Sequence, residues 1–143
     1  MQTFLAYPSF SKSASCLDNK RLGKQRVEAW QIYKTLTDGS RWENHPAVKM
    51  WKGCESGLIL YGIFVCNEWI RRGFKDTLKD RFLDIWDELD AITVPSWLGK
   101  KSFHSVHKSI LLGKNYEWYK QFEWKEKPAV KNNEGRWPYI WPV

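Results

Sequence analysis

The sequence predicts an all-α fold: a compact single-domain helical bundle with an irregular N-terminal segment and an extended aromatic C-terminal tail. Three observations carry that reading. Apolar residues recur at helical spacing in several windows, and convincing strand alternation is absent. The chain has 143 residues, enough for one domain with a sizeable core. Hydrophobic residues make up 43% and charged residues 27%, an ordinary globular balance that excludes a disordered chain.

Met1 to Lys12 reads as extended, with Pro8 and two serines. Ser13 or Ser15 is then placed to cap a first helix running to about Thr37, with Leu22, Ala29, Tyr33 and Leu36 on its apolar face. Asp38-Gly39-Ser40 ends that helix in a turn. Pro46 suits the first position of a short helix through about Trp51. From Cys54 to Arg72 apolar residues fall on nearly every side of the helical wheel, the pattern of a central buried helix, and Gly73 stops it. Asp76 to Asp90 is amphipathic, with Leu78, Phe82, Ile85, Trp86 and Leu89 on one stripe, and Ala91 to Ser96 is a loop. A last helix is expected from about Lys101 to Phe122, weakened near Gly113. The tail from Arg136 to Val143 holds three aromatics and two prolines, so it should be extended.

Composition narrows the function. Lys plus Arg number 23 against 16 acids, a net charge of +7 with a pI near 9.3, which favours a polyanionic partner. Ten tryptophans serve as core filler, but indoles also stack on bases and wedge between them. Cys16, Cys54 and Cys66 are an odd count with no C-x-x-C pair, which argues against a disulfide framework or a structural zinc site. A reducing, cytoplasmic setting follows. No signal peptide is evident, and Leu58 to Cys66 is far too short to span a bilayer, so no membrane partner is expected.

The densest chemistry lies in one run, Leu17 to Gln31. At about 100° per residue, with Leu17 as zero, Lys20 falls at roughly 300°, Gln31 at 320°, Lys24 at 340°, Glu28 at 20° and Arg21 at 40°. One carboxylate is thereby ringed by cations and an amide, an arrangement suited to holding a phosphate backbone beside a reacting centre. The plain alternative is a solvated face whose ion pairs stabilise the helix by a few tenths of a kcal/mol each. Two details speak against it. Arg26 lies at about 180°, in the apolar sector, and must reach a buried partner or line a cleft. Gly23 is a poor helix residue whose missing side chain lets another backbone or a phosphate approach closely.

The three histidines are the other candidates. His45 precedes Pro46 at a helix start, where exposed N–H groups suit an anion. His104 and His107 share a helix face with Lys108 and Ser109 close by, within reach of a phosphate; capping or packing is an equally good reading for each. No metal-binding pattern is visible, and Gly99-Lys100-Lys101-Ser102 lacks the earlier glycine of a P-loop. Cys66 sits in the most apolar segment, where thiols are usually inert.

These stretches resemble the pyrimidine-dimer DNA glycosylase family of the phage endonuclease V type, and most closely a bacterial and phage branch of it. The resemblance rests on Met1-Gln2-Thr3-Phe4-Leu5, on Leu17 to Glu28, on Asn44-His45-Pro46-Ala47-Val48, on Glu68 to Gly73 and on the tail Pro138 to Val143. It implies a single glycosylase-like domain over residues 1–143 that acts without a cofactor, as a monomer, on damaged or modified double-stranded DNA. In that family a free N-terminal amine attacks C1′ of the damaged nucleotide, a Schiff base forms, and β-elimination cuts the strand. A helix glutamate assists. Matching Leu22 to the family's leucine brings Glu28 onto that glutamate without a gap.

The resemblance therefore implies Met1 and Glu28 as catalytic and basic residues on the DNA; together with the residue reading above, the candidate DNA contacts are Lys20, Arg21, Lys24, Arg26, Gln31, His45, His104, His107 and Lys108. The chemistry is sensible in itself. An α-amine has an ordinary pKa of about 7.7–8.0, so part of it is nucleophilic at neutral pH. There are departures. Gln2 is large enough to block methionine removal, so the nucleophile is the Met1 amine unless processing reaches Thr3. Val27 and Gln31 stand where the family enzyme has arginines, with Arg21, Lys24 and Arg26 near enough to compensate. The competing readings are a non-catalytic binder of nucleic acid or a nucleotide-like ligand, and glycosyl-bond cleavage on a modified base or free nucleotide.

Overall fold

The computed structural model describes residues 1–142; Val143, the end of the predicted tail, lies outside the described residues. Among these, seven α-helices and one 3-10 turn form the protein, with no strand, as an all-α reading requires. They are α1 (Phe10–Cys16), α2 (Asn19–Asp38), α3 (Pro46–Lys49), α4 (Glu55–Arg71), α5 (Lys79–Trp86), α6 (Lys101–Lys114) and α7 (Tyr116–Tyr119), followed by a 3-10 turn, Lys120–Phe122. The central helix is α4, against which α2, α5 and α1 pack. Leu58, Ile59, Tyr61, Val65 and Cys66 of α4 are fully buried, which accounts for apolar residues on so many of its sides. No helix is long and apolar enough to cross a membrane.

Three boundaries differ from the sequence expectation. The first helix is two helices, because Leu17 and Asp18 are extended. Leu17 is fully buried there, and Asp18 is held by Tyr119, whose hydroxyl donates to its carboxylate and accepts its N–H at 3.1 Å. The capping serine is Ser9, not Ser13 or Ser15. The last long helix passes through Gly113 and ends at Asn115, whose side chain accepts from the Trp118 N–H and starts α7. Gly113 is needed for close approach: a Cβ there would sit 2.2 Å from the Ala129 carbonyl oxygen and 2.8 Å from the Trp137 ring. That gap is what seats the tail along α6.

The N-terminal segment is irregular but buried from Gln2 to Ala6. It has no strand partner, so side chains satisfy its backbone. Gln25 of α2 accepts from the Phe4 N–H at 2.9 Å and donates to the Gln2 carbonyl at 2.7 Å. From the other side, the Leu5 N–H donates to His107 at 2.9 Å, and His104 donates to the Leu5 carbonyl at 2.8 Å. The chain start is thereby threaded between α2 and α6.

Candidate active site

Threading the N-terminus between these helices brings it onto the cationic face of α2. Met1, Gln2 and Phe4 line a cleft of about 260 Å³ together with Lys20, Arg21, Lys24, Gln25 and Glu28 of α2, Lys114 of α6 and Tyr139 of the tail. The Gln2 N–H donates to Glu28 Oε2 at 3.3 Å, and the Gln25 amide donates to the same oxygen at 3.1 Å. Glu28 Oε1 receives no protein donor among the described residues. The first residue and the helix carboxylate therefore share one cavity.

The charges around that carboxylate are largely uncommitted. Arg21 pairs with Asp18 at 3.0 Å, but Lys20, Lys24 and Lys114 have no ion-pair partner among the described residues. Burial, and then the neighbouring cations Arg21, Lys131 and Lys24, hold the Lys114 ammonium below its ordinary range. Burial, and then the Glu28 charge, push the Tyr139 phenol up. Cations crowded with a single carboxylate favour a ligand that brings more negative charge.

Other sequence candidates lie elsewhere. Gln31 and Arg26 line a groove on the outer flank of α2 with Gly23, Val27 and Trp69, which meets the cleft along Lys20, Lys24 and Glu28. Arg26 has the buried partner its position demanded. It pairs with Asp76 and lies 4.7 Å over the Trp69 ring, so it is not free for a phosphate. Burial works against the Asp76 charge, but the Lys79 N–H and Arg26 outweigh it and hold its carboxyl below the usual range. What approaches Gly23 is neither backbone nor phosphate but this indole: a Cβ there would lie 3.0 Å from the Trp69 ring.

The histidine expectations need correction. His107 is fully buried, one ring nitrogen committed to the Leu5 N–H, and burial pushes its pKa down to about 3. His104 is committed at both nitrogens, donating to the Leu5 carbonyl and accepting the Gly99 N–H at 2.9 Å. Both are neutral clamps on the chain start and cannot serve as phosphate ligands while they hold it. Lys108 lines a separate cleft of about 490 Å³ with Tyr7, Lys101 and Lys125, and sits 4.8 Å over the Tyr7 ring. His45 takes for itself the N–H offered at the start of α3, with its Nδ1 accepting from Ala47 at 3.0 Å, so no anion is needed there. Burial, and then the amino-terminal charge, lower its pKa.

Gln25, Lys114 and Tyr139 line the cleft and were not among the sequence candidates. Gln25 lies within the Leu17 to Gln31 run, at roughly 80° on the wheel, on the flank of the cationic face. Lys114 and Tyr139 come from the distant half of the chain; Lys114 carried no local signal, and Tyr139 lies in the tail that the resemblance includes. No group of three or more His, Cys, Asp and Glu side chains is placed to hold a metal ion among the described residues. Burial pushes the Cys66 thiol up, as expected of an inert core cysteine.

No curated protein and no solved structure matches the chain. The sequence model of a pyrimidine dimer DNA glycosylase family does match, over residues 1–82. That stretch carries the threaded N-terminal segment, all of α2 and all of α4, and it spans more than half of the 143 residues. By this match, the chain belongs to the pyrimidine dimer DNA glycosylase family.

Proposed function

We propose that the protein is a DNA repair glycosylase with abasic-site lyase activity, acting on pyrimidine dimers or another damaged or modified base in double-stranded DNA, with the Met1 α-amine as nucleophile. The observation that carries this reading is the shared cavity of Met1 and Glu28, with the Gln2 N–H 3.3 Å from the Glu28 carboxylate. The amine attacks C1′ with its lone pair. The glycosidic C1′–N bond breaks and the base leaves with the bonding pair, taking up a proton from solvent. Glu28 Oε1, which has no protein donor among the described residues, receives the proton lost by the amine and returns it to O4′ as the C1′–O4′ bond breaks and the sugar ring opens to an iminium. The Glu28 carboxylate then takes a proton from C2′, the C3′–O3′ bond breaks with the 3′ phosphate leaving with the bonding pair, and water releases the enzyme by hydrolysing the imine. Lys20, Lys24 and Lys114 neutralise the phosphates on either side, and the carboxylate stabilises the positive charge on the sugar.

The test is borohydride reduction in the presence of DNA containing an abasic site or a dimer. A covalent protein–DNA adduct is expected, with its mass placing the link at the first residue. Acetylating that amine should abolish the adduct. Glu28→Gln should lower turnover by about 10²–10⁴-fold, the usual range for a lost acid–base group, while leaving DNA binding in place. Full turnover with a blocked amine sinks the mechanism. Salt-sensitive binding with no adduct under any condition would instead identify a binder.

A further inference from the structure

Beyond the cleft, aromatic rings continue in an unbroken line. Tyr139, in the cleft wall, lies 5.2 Å from Trp141 between ring centroids. Trp141 lies 5.9 Å from His45, and His45 lies 6.2 Å from Trp42. The Arg41 guanidinium sits 4.9 Å over the Trp42 ring at the far end. The line thus runs from the cavity that holds Met1, across the start of α3, to the loop between α2 and α3.

Packing explains the inner part of this line but not its outer end. Trp42 is 45% exposed, and its indole N–H meets no protein acceptor among the described residues. The loop that carries it is nonetheless braced. Ser40 Oγ accepts the Trp42 N–H at 3.1 Å, and the Trp42 carbonyl accepts the His45 N–H at 2.9 Å. A large flat ring is therefore held in place at the surface, backed by a cation, without contributing to the core. Planar rings beside guanidinium groups are what single-stranded nucleic acid stacks on. An enzyme that removes a base must unstack the strand around it, leaving neighbouring faces to cover.

We infer that Trp42, with Arg41 and His45, is a nucleobase-stacking platform for an unstacked nucleotide of the strand that flanks the attacked residue. This rests on the glycosylase reading, since the line begins in that cleft. It concerns residues outside the cationic run of α2 and gives the α2–α3 loop a role in holding distorted DNA. Intact duplex, whose bases stay stacked, gains little from such a platform.

The experiment measures fluorescence anisotropy of two labelled duplexes, one intact and one with a central tetrahydrofuran abasic analogue, in a Glu28→Gln background. Trp42→Ala is expected to weaken binding of the abasic duplex about tenfold, equivalent to about 1.4 kcal/mol, within the usual range for one stacked base. It should change intact-duplex affinity by less than about twofold, and Trp42→Phe should restore most of the loss. Equal affinity of Trp42→Ala and its parent for the abasic duplex overturns the platform while leaving the glycosylase reading intact. A parent protein with no affinity for either duplex overturns both. Trp42 lies outside the core, so its truncation leaves the fold standing, which matching far-ultraviolet dichroism would show.

Discussion

Gln25 uses every hydrogen-bonding position of its amide. Its oxygen accepts from the Phe4 N–H at 2.9 Å and the Tyr61 hydroxyl at 2.5 Å, while its nitrogen donates to the Gln2 carbonyl at 2.7 Å and to Glu28 at 3.1 Å. That single side chain ties the chain start, the central helix and the carboxylate together. Gln25→Leu keeps the bulk but leaves the buried Phe4 N–H and Gln2 carbonyl unpaired. Each orphaned group costs about 1–3 kcal/mol, so urea unfolding should show a loss of roughly 3 kcal/mol. Gln25→Glu retains both acceptor contacts but replaces the donor with a second carboxylate beside Glu28. Its borohydride trapping rate should fall at least about tenfold on the proposed mechanism, because repulsion and the lost donor displace the carboxylate proposed to take the amine's proton. An unchanged trapping rate would mean that Glu28 keeps its place without Gln25. From the sequence, the cationic ring around Glu28 was legible because helical periodicity is local. Gln25 was not, since its meaning lies in Phe4 and Tyr61, which tertiary folding brings to it.

Helix α6 holds the amino-terminal segment through a pair of histidines, and this gives the fold a pH dependence of known sign. His107 is neutral in the folded protein, its pKa pushed down to about 3 by burial, against an ordinary value of 6.5. The unfolded chain therefore binds a proton between these values that the folded chain refuses, and stability must fall as pH drops from about 6.5 towards 3. Burial lowers His104 in the same direction. Thermal unfolding across this range should show the decline, and His107→Gln, which keeps an acceptor for Leu5 but cannot titrate, should flatten it while costing stability at neutral pH. An identical pH slope in the variant would assign the dependence to other groups. The spacing of these histidines on one face could be read in advance; the object they face could not. The break at Leu17 and Asp18 was hidden for the same reason, since the residue that stabilises it, Tyr119, lies 101 positions away. The central helix α4 was read correctly because its own composition declares it buried.

At the scale of the whole molecule, the cleft concentrates positive charge. Lys20, Arg21, Lys24 and Lys114 surround the cleft, whereas α5 is balanced, with Lys79 and Arg81 against Asp80 and Asp84, and the turn after it carries Asp87, Glu88 and Asp90. Within a net charge of +7, the cleft offers a cationic face to a polyanion, and a second group of cations, Lys101, Lys108 and Lys125, lines the cleft beside Tyr7. Such a face binds DNA largely by releasing condensed counterions, so the logarithm of affinity should fall linearly with the logarithm of salt concentration. The slope counts the phosphates neutralised, at about 0.9 each. Lys20 and Lys24 are exposed and without an ion-pair partner among the described residues, so each is free to neutralise one phosphate. Lys20→Gln with Lys24→Gln should therefore reduce the slope by about 2 and weaken intact and damaged duplex alike. Lys108→Gln tests the limits of the face, because Lys108 lines the separate cleft beside Tyr7. Its slope should match that of the unmodified protein if DNA occupies only the face around Glu28, and should drop by about 1 if the duplex wraps as far as that second cleft.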